Sequence, residues 1–166
     1  MQRRTVIDSP IGALTLTADE SGRLTGLTMS GWYQHSGERR PNDDRQGFET
    51  VITQLDEYFA GEREHFDVEL APSGNQFQRS VWKLLEEIPY GQTRSYGALA
   101  EALGDKSLAR AVGTACGSNP IAVIVPCHRV IGADGQLTGF GGGLDRKEFL
   151  LHLENPSRPL RPRLFA

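Results

Sequence analysis

One cysteine and the histidine that follows it lie inside a mainly apolar stretch, residues 121–132, which reads IAVIVPCHRVIG. A cysteine reacts as its thiolate, so a reactive thiol needs a base, a cation or a helix N-terminus close by. His128 follows Cys127 directly and could supply the base. Pro126 has a fixed φ and no backbone N–H, which disfavours a regular strand at this point. We therefore expect the chain to turn at Pro126 and to expose the sulfur of Cys127 at the floor of a pocket.

The alternative for Cys127 is an inert, buried side chain. Free cysteine is among the most buried residue types and usually packs as a small apolar group. A lone cysteine in an apolar run favours this inert role until the surrounding sequence is considered.

The sequence around Cys127 resembles the signature of the O6-alkylguanine-DNA alkyltransferases, also called methylated-DNA–protein-cysteine methyltransferases. The motif residues are Pro126, Cys127, His128, Arg129 and Val130, with Asn119 and Pro120 before them and Gly141, Gly142 and Gly143 after them. Further matches to the family pattern are Phe77, Val81, Trp82, Leu85, Ile88, Pro89, Gly91, Thr93, Ser95, Tyr96, Leu99, Ala100, Ala109, Arg110, Ala111, Val112, Gly113 and Glu154. The resemblance covers residues 77–154, and the residues before this range match only loosely. It implies an α+β fold with two parts: an N-terminal small antiparallel sheet with a helix, ribonuclease H-like, and a mostly helical C-terminal domain with a helix-turn-helix.

The resemblance implies a catalytic role for five residues. Cys127 would take an alkyl group from O6 of guanine, or from O4 of thymine, irreversibly and once per molecule, without a cofactor. His128 would activate the thiol through a water and Glu154 would orient the imidazole, because adjacent residues in an extended chain point to opposite faces and direct contact is unfavourable. Tyr96 would donate to the leaving guanine as charge develops, and Asn119 would brace the loop before Cys127.

The resemblance also implies residues that contact the target base and the DNA. The Val130 carbonyl and the Gly141 N–H would contact the edge of a base flipped out of the duplex. Phe140 stands where the family often has a tyrosine, so it could stack on the base but could not donate a hydrogen bond. Arg110 would enter the base stack from a helix in the minor groove, with little sequence preference. The other residues expected to contact DNA are Ser95, Ala109 and Thr114.

The formal charge of the whole chain is −3, but the charge is unevenly distributed. Residues 1–74 hold 7 Lys and Arg against 13 Asp and Glu, whereas residues 75–166 hold 11 against 8. Asymmetry between halves suggests nucleic-acid contact. The basic half is the half that carries the motif, which agrees with double-stranded DNA as the partner, although random scatter would also explain a modest excess of this size.

Composition excludes several other classes of protein. No apolar run approaches the roughly 18 residues of a membrane helix, and the N-terminus lacks the apolar core of a signal peptide, so we expect a cytoplasmic protein without membrane contact. Cys116 and Cys127 are the two cysteines, and no cysteine-histidine cluster has zinc spacing, so we expect reduced thiols and no metal site. We expect Cys116 to be an inert packing residue, and we expect a monomer that could bind DNA cooperatively.

The pattern of apolar and turn residues divides the chain into domains 1–74 and 75–166. Alternating runs at 5–9, 14–18 and 24–29 predict an antiparallel meander, and apolar residues from Phe48 to Phe59 repeat at helical spacing. A polar loop is expected over residues 31–46, an additional strand at 66–70, and a linker over 71–74.

The second domain is expected to be mainly helical. Asn75 would cap its first helix, in which Trp82 is expected to pack in the core. Ser95 would cap a helix over 96–103, and Ser107 would cap another that runs to about residue 115. Two short helices joined by a glycine-containing turn are typical of a helix-turn-helix, but an ordinary αα-hairpin has the same pattern. Asp145 with Glu148 resembles a capping box at the start of a last helix, in which Phe149, Leu150 and Leu153 are expected to face inward.

Two other functions compete with alkyl transfer. A cysteine hydrolase would use Cys127 and His128 and turn over repeatedly, although immediate succession is a poor arrangement for a dyad. A helix-turn-helix regulator would bind a preferred DNA sequence and would retain its function after Cys127→Ala.

Overall fold

The computed structural model describes residues 3–29, 45–135, 137, 140 and 143–158. Its N-terminal part is an antiparallel sheet in the order β1-β2-β3, followed by helix α1. These elements are β1 (Arg3–Ile7), β2 (Leu14–Ala18), β3 (Leu24–Met29) and α1 (Glu49–Phe59). The expected small antiparallel sheet with a helix is therefore confirmed.

The boundary of β1 differs from the expected range of 5–9, because the strand lies two residues earlier in the chain. The hydroxyl of Ser9 accepts from the Ile11 N–H at 3.2 Å and donates to the Gly12 carbonyl at 2.6 Å. The turn thus begins at Ser9, and the chain can no longer continue as a strand there.

The core is formed by alternate residues of the strands and one stripe of α1. Along β2, every second residue is buried, as expected for a strand with one covered face. The buried residues of α1 follow helical spacing and are Val51, Gln54, Leu55 and Tyr58. Val51, Leu55 and Tyr58 join one continuous apolar cluster that extends into the C-terminal part, so burial couples the two parts of the chain.

The C-terminal part is mainly helical. Its elements are α2 (Gln76–Glu86), β4 (Arg94–Ser95), α3 (Tyr96–Ala102), α4 (Ala109–Gly117), β5 (Val130–Ile131) and α5 (Leu144–Glu154), with short 3-10 turns at Lys106–Leu108 and Cys127–Arg129. Helices α2 and α3 both pack against α4, and β4 pairs in parallel with β5. Asn75 caps α2 in a reciprocal capping box with Gln78, and the Trp82 indole is buried and donates to the Ala115 carbonyl at 2.9 Å.

Helices α3 and α4 form the expected pair of short helices. Ser95 caps α3 by accepting from the Ala98 N–H at 3.0 Å, as expected. Gly104 ends α3 with a φ of 97°, a conformation that glycine adopts without strain. Asp105 caps the 3-10 turn by accepting from the N–H of Ser107, and Leu108 takes the capping position of α4 without a side-chain hydrogen bond. The expectation that Ser107 caps the second helix is therefore wrong.

The start of α5 also differs from expectation. The capping position is taken by Gly143, with φ 93° and ψ 153°, and no side chain caps the helix. The expected capping box of Asp145 with Glu148 is therefore wrong. Phe149 remains 36% exposed, which contradicts its expected inward position; the buried residues of α5 are Arg146, Lys147, Leu150, Leu151 and Glu154.

Backbone hydrogen bonds connect β3 to the chain just before Cys127. The Leu27 N–H donates to the Pro120 carbonyl at 2.9 Å, and the Ala122 N–H donates to the Leu27 carbonyl at 3.1 Å. The strand expected at 66–70 is reduced to a single bridge between Leu70 and Leu24. The loop expected at 31–46 lies largely outside the described residues. The sheet therefore directly supports the segment that leads to the cysteine.

Within the described part of the chain, no helix combines the length and apolar character that a membrane crossing requires. The same residues contain no group of three or more Cys, His, Asp or Glu side chains that could hold a metal ion.

Candidate active site

Two successive γ-turns precede Cys127 and set its position. The Ile124 N–H donates to the Ala122 carbonyl at 2.8 Å around Val123, whose φ is 71°. The Cys127 N–H donates to the Val125 carbonyl at 2.8 Å around Pro126, whose φ is −84° and ψ 65°, the geometry of an inverse γ-turn. The turn expected at Pro126 is therefore confirmed. A positive φ at a β-branched residue such as Val123 costs roughly 1–3 kcal/mol and persists only where the surroundings enforce it.

Asn119 holds this loop from the side. Its Nδ2 donates to the Val125 carbonyl at 2.8 Å, and its Oδ1 accepts from the Ile121 N–H at 3.0 Å. One side chain thus binds both ends of residues 121–125. Asn119 has the contacts expected of a residue that stabilises the loop before Cys127.

His128, which follows Cys127 directly in the sequence, forms a buried pair with Glu154. Nε2 of His128 lies 2.8 Å from Oε2 of Glu154, and His128 is fully buried. Because an ionised carboxylate only accepts hydrogen bonds, Nε2 carries the hydrogen and Nδ1 is the basic nitrogen of the neutral ring. Nδ1 has no hydrogen-bond partner among the described residues. Burial lowers the pKa of His128, and the adjacent Glu154 carboxylate partly offsets this effect.

Glu154 has two further donors besides His128. Arg129 donates to it through Nε at 2.8 Å and through Nη2 at 3.0 Å, and its Nη1 donates to the Ile88 carbonyl at 2.6 Å. The hydroxyl of Tyr58, in α1, donates to Oε2 at 2.5 Å. Burial alone would raise the pKa of Glu154, but His128 and Arg129 lower it to about 2. The carboxylate is therefore held in its charged form inside the protein.

Lys147 places a second buried cation near the thiol. Its Nζ donates to the Val130 carbonyl at 2.6 Å and lies 5.9 Å from the centroid of the Tyr96 ring. Burial lowers the pKa of Lys147 to about 8, although the nearby thiols Cys127 and Cys116 act in the opposite direction. The positive charge thus lies in a region of low dielectric, where it acts strongly on neighbouring groups.

Opposing effects act on the thiol of Cys127. Burial raises the pKa of Cys127, whereas a hydrogen bond from Asn119 and the charge of Lys147 lower it. Cys127 is 8% exposed, so an incoming group can reach the sulfur only through the adjoining space. Burial also raises the pKa of Cys116, to about 12, and this value keeps Cys116 as a neutral thiol at neutral pH.

A cavity of about 200 Å³ adjoins Cys127. Its lining comes from three parts of the chain, and among the described residues it consists of Leu27, Thr28, Met29, Cys116, Gly117, Asn119, Ala122, Cys127 and Phe140. The expected pocket beside the sulfur is present, and Phe140 belongs to its wall. Tyr96 and Val130 are not part of this lining, and Lys147 contacts both. Gly141, expected at the base edge, lies outside the described residues.

Matches to known protein families cover both parts of the chain. Residues 2–72 match the family described as 6-O-methylguanine DNA methyltransferase, ribonuclease-like domain, and residues 76–156 match 6-O-methylguanine DNA methyltransferase, DNA binding domain. The methylated-DNA–protein-cysteine methyltransferase of Mycolicibacterium paratuberculosis is 52% identical over 159 residues, which is 96% of each chain. The protein of the same name from Methanosarcina acetivorans is 50% identical over 149 residues, covering 90% of this chain and 96% of the relative.

The chain belongs to the 6-O-methylguanine DNA methyltransferase family.

Solved structures agree with this membership of the methyltransferase family. The crystal structure of Mycobacterium tuberculosis O6-methylguanine methyltransferase has a TM-score of 0.83 and 50% identity, with 97% of both chains covered. The crystal structure of Mycobacterium tuberculosis OGT in complex with DNA also has a TM-score of 0.83, with 52% identity and 95% of both chains covered. The fold of this family member is therefore the fold of a methyltransferase that has been crystallised on DNA.

The residues of this family member that are expected to contact DNA lie in and beside α4. Arg110 and Thr114 are both exposed and lie four residues apart on one face of the helix. Ala109 is half-buried at the start of α4. Ser95 is also half-buried, and its hydroxyl caps α3. The structure thus brings Arg110 and Thr114 together on one surface and gives Ser95 a local role in the fold.

Three residues at the site have no role in the sequence-based expectations: Tyr58, Arg129 and Lys147. Arg129 is part of the motif, which is a signal, although its contact with Glu154 is not evident from sequence. Tyr58 matches the apolar stripe of α1, and Lys147 resembles an ordinary surface cation of α5. No local pattern distinguishes either of them from residues without a role at the site.

Proposed function

We propose that this chain repairs DNA by moving an alkyl group from O6 of guanine, and from O4 of thymine, to the sulfur of Cys127, where it stays. The observation that carries the proposal is the surroundings of Cys127. The residue lines a cavity of about 200 Å³, and the next residue, His128, is buried against Glu154. The family to which the chain belongs supports the same reaction.

Activation begins with the thiol proton of Cys127. Nδ1 of His128 takes this proton through a water, and the imidazolium that forms is stabilised by Glu154 at 2.8 Å. The thiolate gains further support from the Asn119 hydrogen bond and the charge of Lys147, both of which lower the pKa of the thiol against the effect of burial. A buried thiol thus becomes reactive without a cofactor.

Transfer is a single displacement at the alkyl carbon. The S–C bond forms as the C–O bond breaks, and the electron pair of the C–O bond leaves with the guanine. Tyr96 donates a hydrogen bond to the leaving guanine, and Phe140 stacks on the base within the cavity lining. Val130 and Gly141 contact the base edge. The product is a thioether, which has neither a thiolate nor an easily hydrolysed bond, so each molecule reacts once.

The target atom is inaccessible inside a duplex, so the nucleotide is flipped out at a cost of a few kcal/mol. We propose that α4 lies in the minor groove and that Arg110 fills the space left in the base stack. Ala109, Thr114 and Ser95 contact the strand beside it. Affinity then comes mainly from phosphate contacts with little sequence preference.

The proposal extends to oligomeric state, domain boundaries and location. The chain would act as a monomer, and a titration of DNA with the protein tests whether binding along DNA is cooperative. The domains would comprise residues 1–74 and 75–166. The cytoplasmic location stays a prediction from the sequence.

Mass spectrometry after exposure to DNA tests the proposal directly. The protein is incubated with a duplex oligonucleotide that contains one O6-methylguanine, and its peptides are then weighed. We expect one added methyl group per molecule, on the peptide that contains Cys127, and no further reaction when fresh DNA is added. Cys127→Ala should abolish the transfer, whereas the matched variant Cys116→Ala, which removes the other free cysteine, should retain it.

Three results would contradict the proposal. An unmodified Cys127 in the reacted sample would reject alkyl transfer to this residue. Repeated turnover on an ester or peptide would indicate a cysteine hydrolase instead. Sequence-specific binding that survives Cys127→Ala, without any transfer, would indicate a regulator.

A further inference from the structure

We propose that Tyr58, in the N-terminal helix α1, is a positioning residue for alkyl transfer that sets the basicity of His128 through Glu154. This inference rests on the proposed function. Tyr58 lies 96 positions before Glu154 in the sequence, yet its hydroxyl donates to Oε2 of Glu154 at 2.5 Å. The same oxygen lies 2.8 Å from Nε2 of His128. The N-terminal part of the chain therefore reaches directly into the pair that activates the thiol.

Packing leaves the Tyr58 hydroxyl little freedom to choose another partner. Tyr58 is fully buried, and its ring packs against Phe59, Phe66 and Tyr90 at centroid distances of 5.3, 5.2 and 6.2 Å. The guanidinium of Arg129 lies 5.8 Å from the ring centroid of Tyr90. This aromatic cluster, formed by Tyr58, Phe59, Phe66 and Tyr90, joins both parts of the chain and aims the hydroxyl at Glu154.

The hydroxyl remains protonated and acts as a donor. Burial raises the pKa of Tyr58 well above its usual value, and the adjacent charge of Glu154 raises it further. A neutral phenol beside a carboxylate forms a short, charge-assisted hydrogen bond, for which 2.5–2.7 Å is usual. Tyr58 therefore withdraws electron density from Oε2 at every pH at which the protein works.

Sharing of Oε2 between two donors has a consequence for His128. Each donor that binds the Glu154 carboxylate draws on the negative charge of the carboxylate. Less of that negative charge then stabilises the imidazolium form of His128. With Tyr58 present, the imidazole stays a weaker base and remains neutral to lower pH. Arg129 acts in the same direction, because its own positive charge lowers the pKa of His128. Removal of the Tyr58 hydroxyl should therefore make the imidazole more basic.

The test is the pH profile of alkyl transfer by Tyr58→Phe. The rate of methyl transfer to Cys127 falls on the acid side as His128 becomes protonated. In Tyr58→Phe this acid limb should move to higher pH by on the order of one unit. The shift should be equal with duplex DNA and with free O6-methylguanine base, because Tyr58 is buried and acts on His128 through Glu154 rather than on the DNA.

Tyr90→Phe is a matched control. It removes a phenolic hydroxyl from the same aromatic cluster, but that hydroxyl donates to the Leu153 carbonyl at 3.4 Å, whereas the Glu154 carboxylate accepts from the Tyr58 hydroxyl. We expect Tyr90→Phe to leave the acid limb in place. A limb that is unchanged in Tyr58→Phe, or that moves equally in both variants, would overturn the inference.

A second measurement covers the case in which Tyr58→Phe does not fold. In the unaltered protein, proton NMR should show a slowly exchanging hydroxyl proton with cross-peaks to the Tyr58 ring, as expected for a buried, charge-assisted bond. Absence of this resonance under conditions that keep the protein folded would also overturn the inference. Failure of the unaltered protein to alkylate Cys127 would instead reject the proposed function, so the two failures are distinguishable.

Discussion

The buried polar network behind Cys127 and the exposed face of α4 hold their charges in different ways. In the network, His128 and Glu154 are almost completely removed from water, and the carboxylate binds three different side chains. On α4, Arg110 and Thr114 are exposed. Burial makes each charge in the network depend strongly on its partners, whereas an exposed side chain can be replaced at little cost to the fold. The two regions should therefore fail in different ways when a residue is removed.

The largest effect is expected from Glu154→Gln, which breaks the network and leaves α4 unaltered. The amide cannot stabilise an imidazolium as the carboxylate does, and the buried Arg129 loses its counter-charge. We expect the rate of transfer to fall by about 100-fold to 1000-fold, and the free energy of unfolding to fall by about 3–5 kcal/mol. A quenched time course of methyl transfer from duplex DNA measures the rate, and urea unfolding measures the free energy of unfolding. The affinity for DNA should change by less than about threefold.

Asp145→Asn is the control for this variant. Asp145 is an exposed acid on the same helix, so its neutralisation should leave both rate and stability close to those of the unaltered protein. Equal losses in Glu154→Gln and Asp145→Asn would contradict a special role for the buried carboxylate.

Acid unfolding gives a second view of the network without any mutation. The pKa of Glu154 is lowered from 4.5 to about 2, so its stabilisation is present above pH 4.5 and is lost as the pH falls towards 2. The pKa of His128 is also lowered from 6.5, so protonation of the unfolded chain erodes stability below pH 6.5 as well. Because of both groups, the free energy of unfolding should decline as the pH falls below 6.5. Glu154 contributes about 3 kcal/mol of that decline. In Glu154→Gln the part of the decline between pH 4.5 and 2 should be much smaller.

The next effect in size is expected from Arg110→Ala, which alters α4 and leaves the network intact. If Arg110 fills the space of the flipped base, its loss should reduce transfer from duplex DNA by about 10-fold to 100-fold, since flipping costs a few kcal/mol. Transfer from the free O6-methylguanine base should change by less than about twofold, because no base has to be flipped. Lys106→Ala, which removes an exposed cation just before α4, controls for loss of charge alone. Equal losses on duplex and free base would remove Arg110 from this role.

The two regions also differ in how far they could be predicted from sequence. Cys127, His128 and Glu154 follow from the motif and the family pattern, and the turn at Pro126 follows from the geometry of proline. Tyr58 could not be predicted, because its contact with Glu154 joins residues far apart in the chain, and its spacing in α1 is that of an ordinary core residue. Local patterns carry no information about which distant side chain meets a buried polar atom.

Helix α5 shows the same limit in a different form. A search for apolar residues predicts an inward Phe149, whereas the buried stripe includes Arg146, Lys147 and Glu154. A helix face that carries buried charges does not have the amphipathic pattern on which the prediction depends. The sequence pattern places the start of α5 at Asp145, whereas Gly143, with φ 93°, already takes the capping position.

The smallest effect, and the one that sharpens the comparison most, is expected from Lys147→Met. Lys147 is buried like the network, and it is a cation near the thiol whose Nζ donates to the Val130 carbonyl. Its charge lowers the pKa of Cys127, so methionine should raise that pKa and slow transfer by about 10-fold at neutral pH. Because the pKa of Lys147 is about 8, its charge is lost as the pH rises through 8, and the rate deficit of the variant should shrink above that pH. Lys147→Arg keeps the charge and should retain most of the rate across this range. A deficit in Lys147→Met that stays constant from pH 7 to about 9 would mean that the side chain acts through packing rather than through its charge.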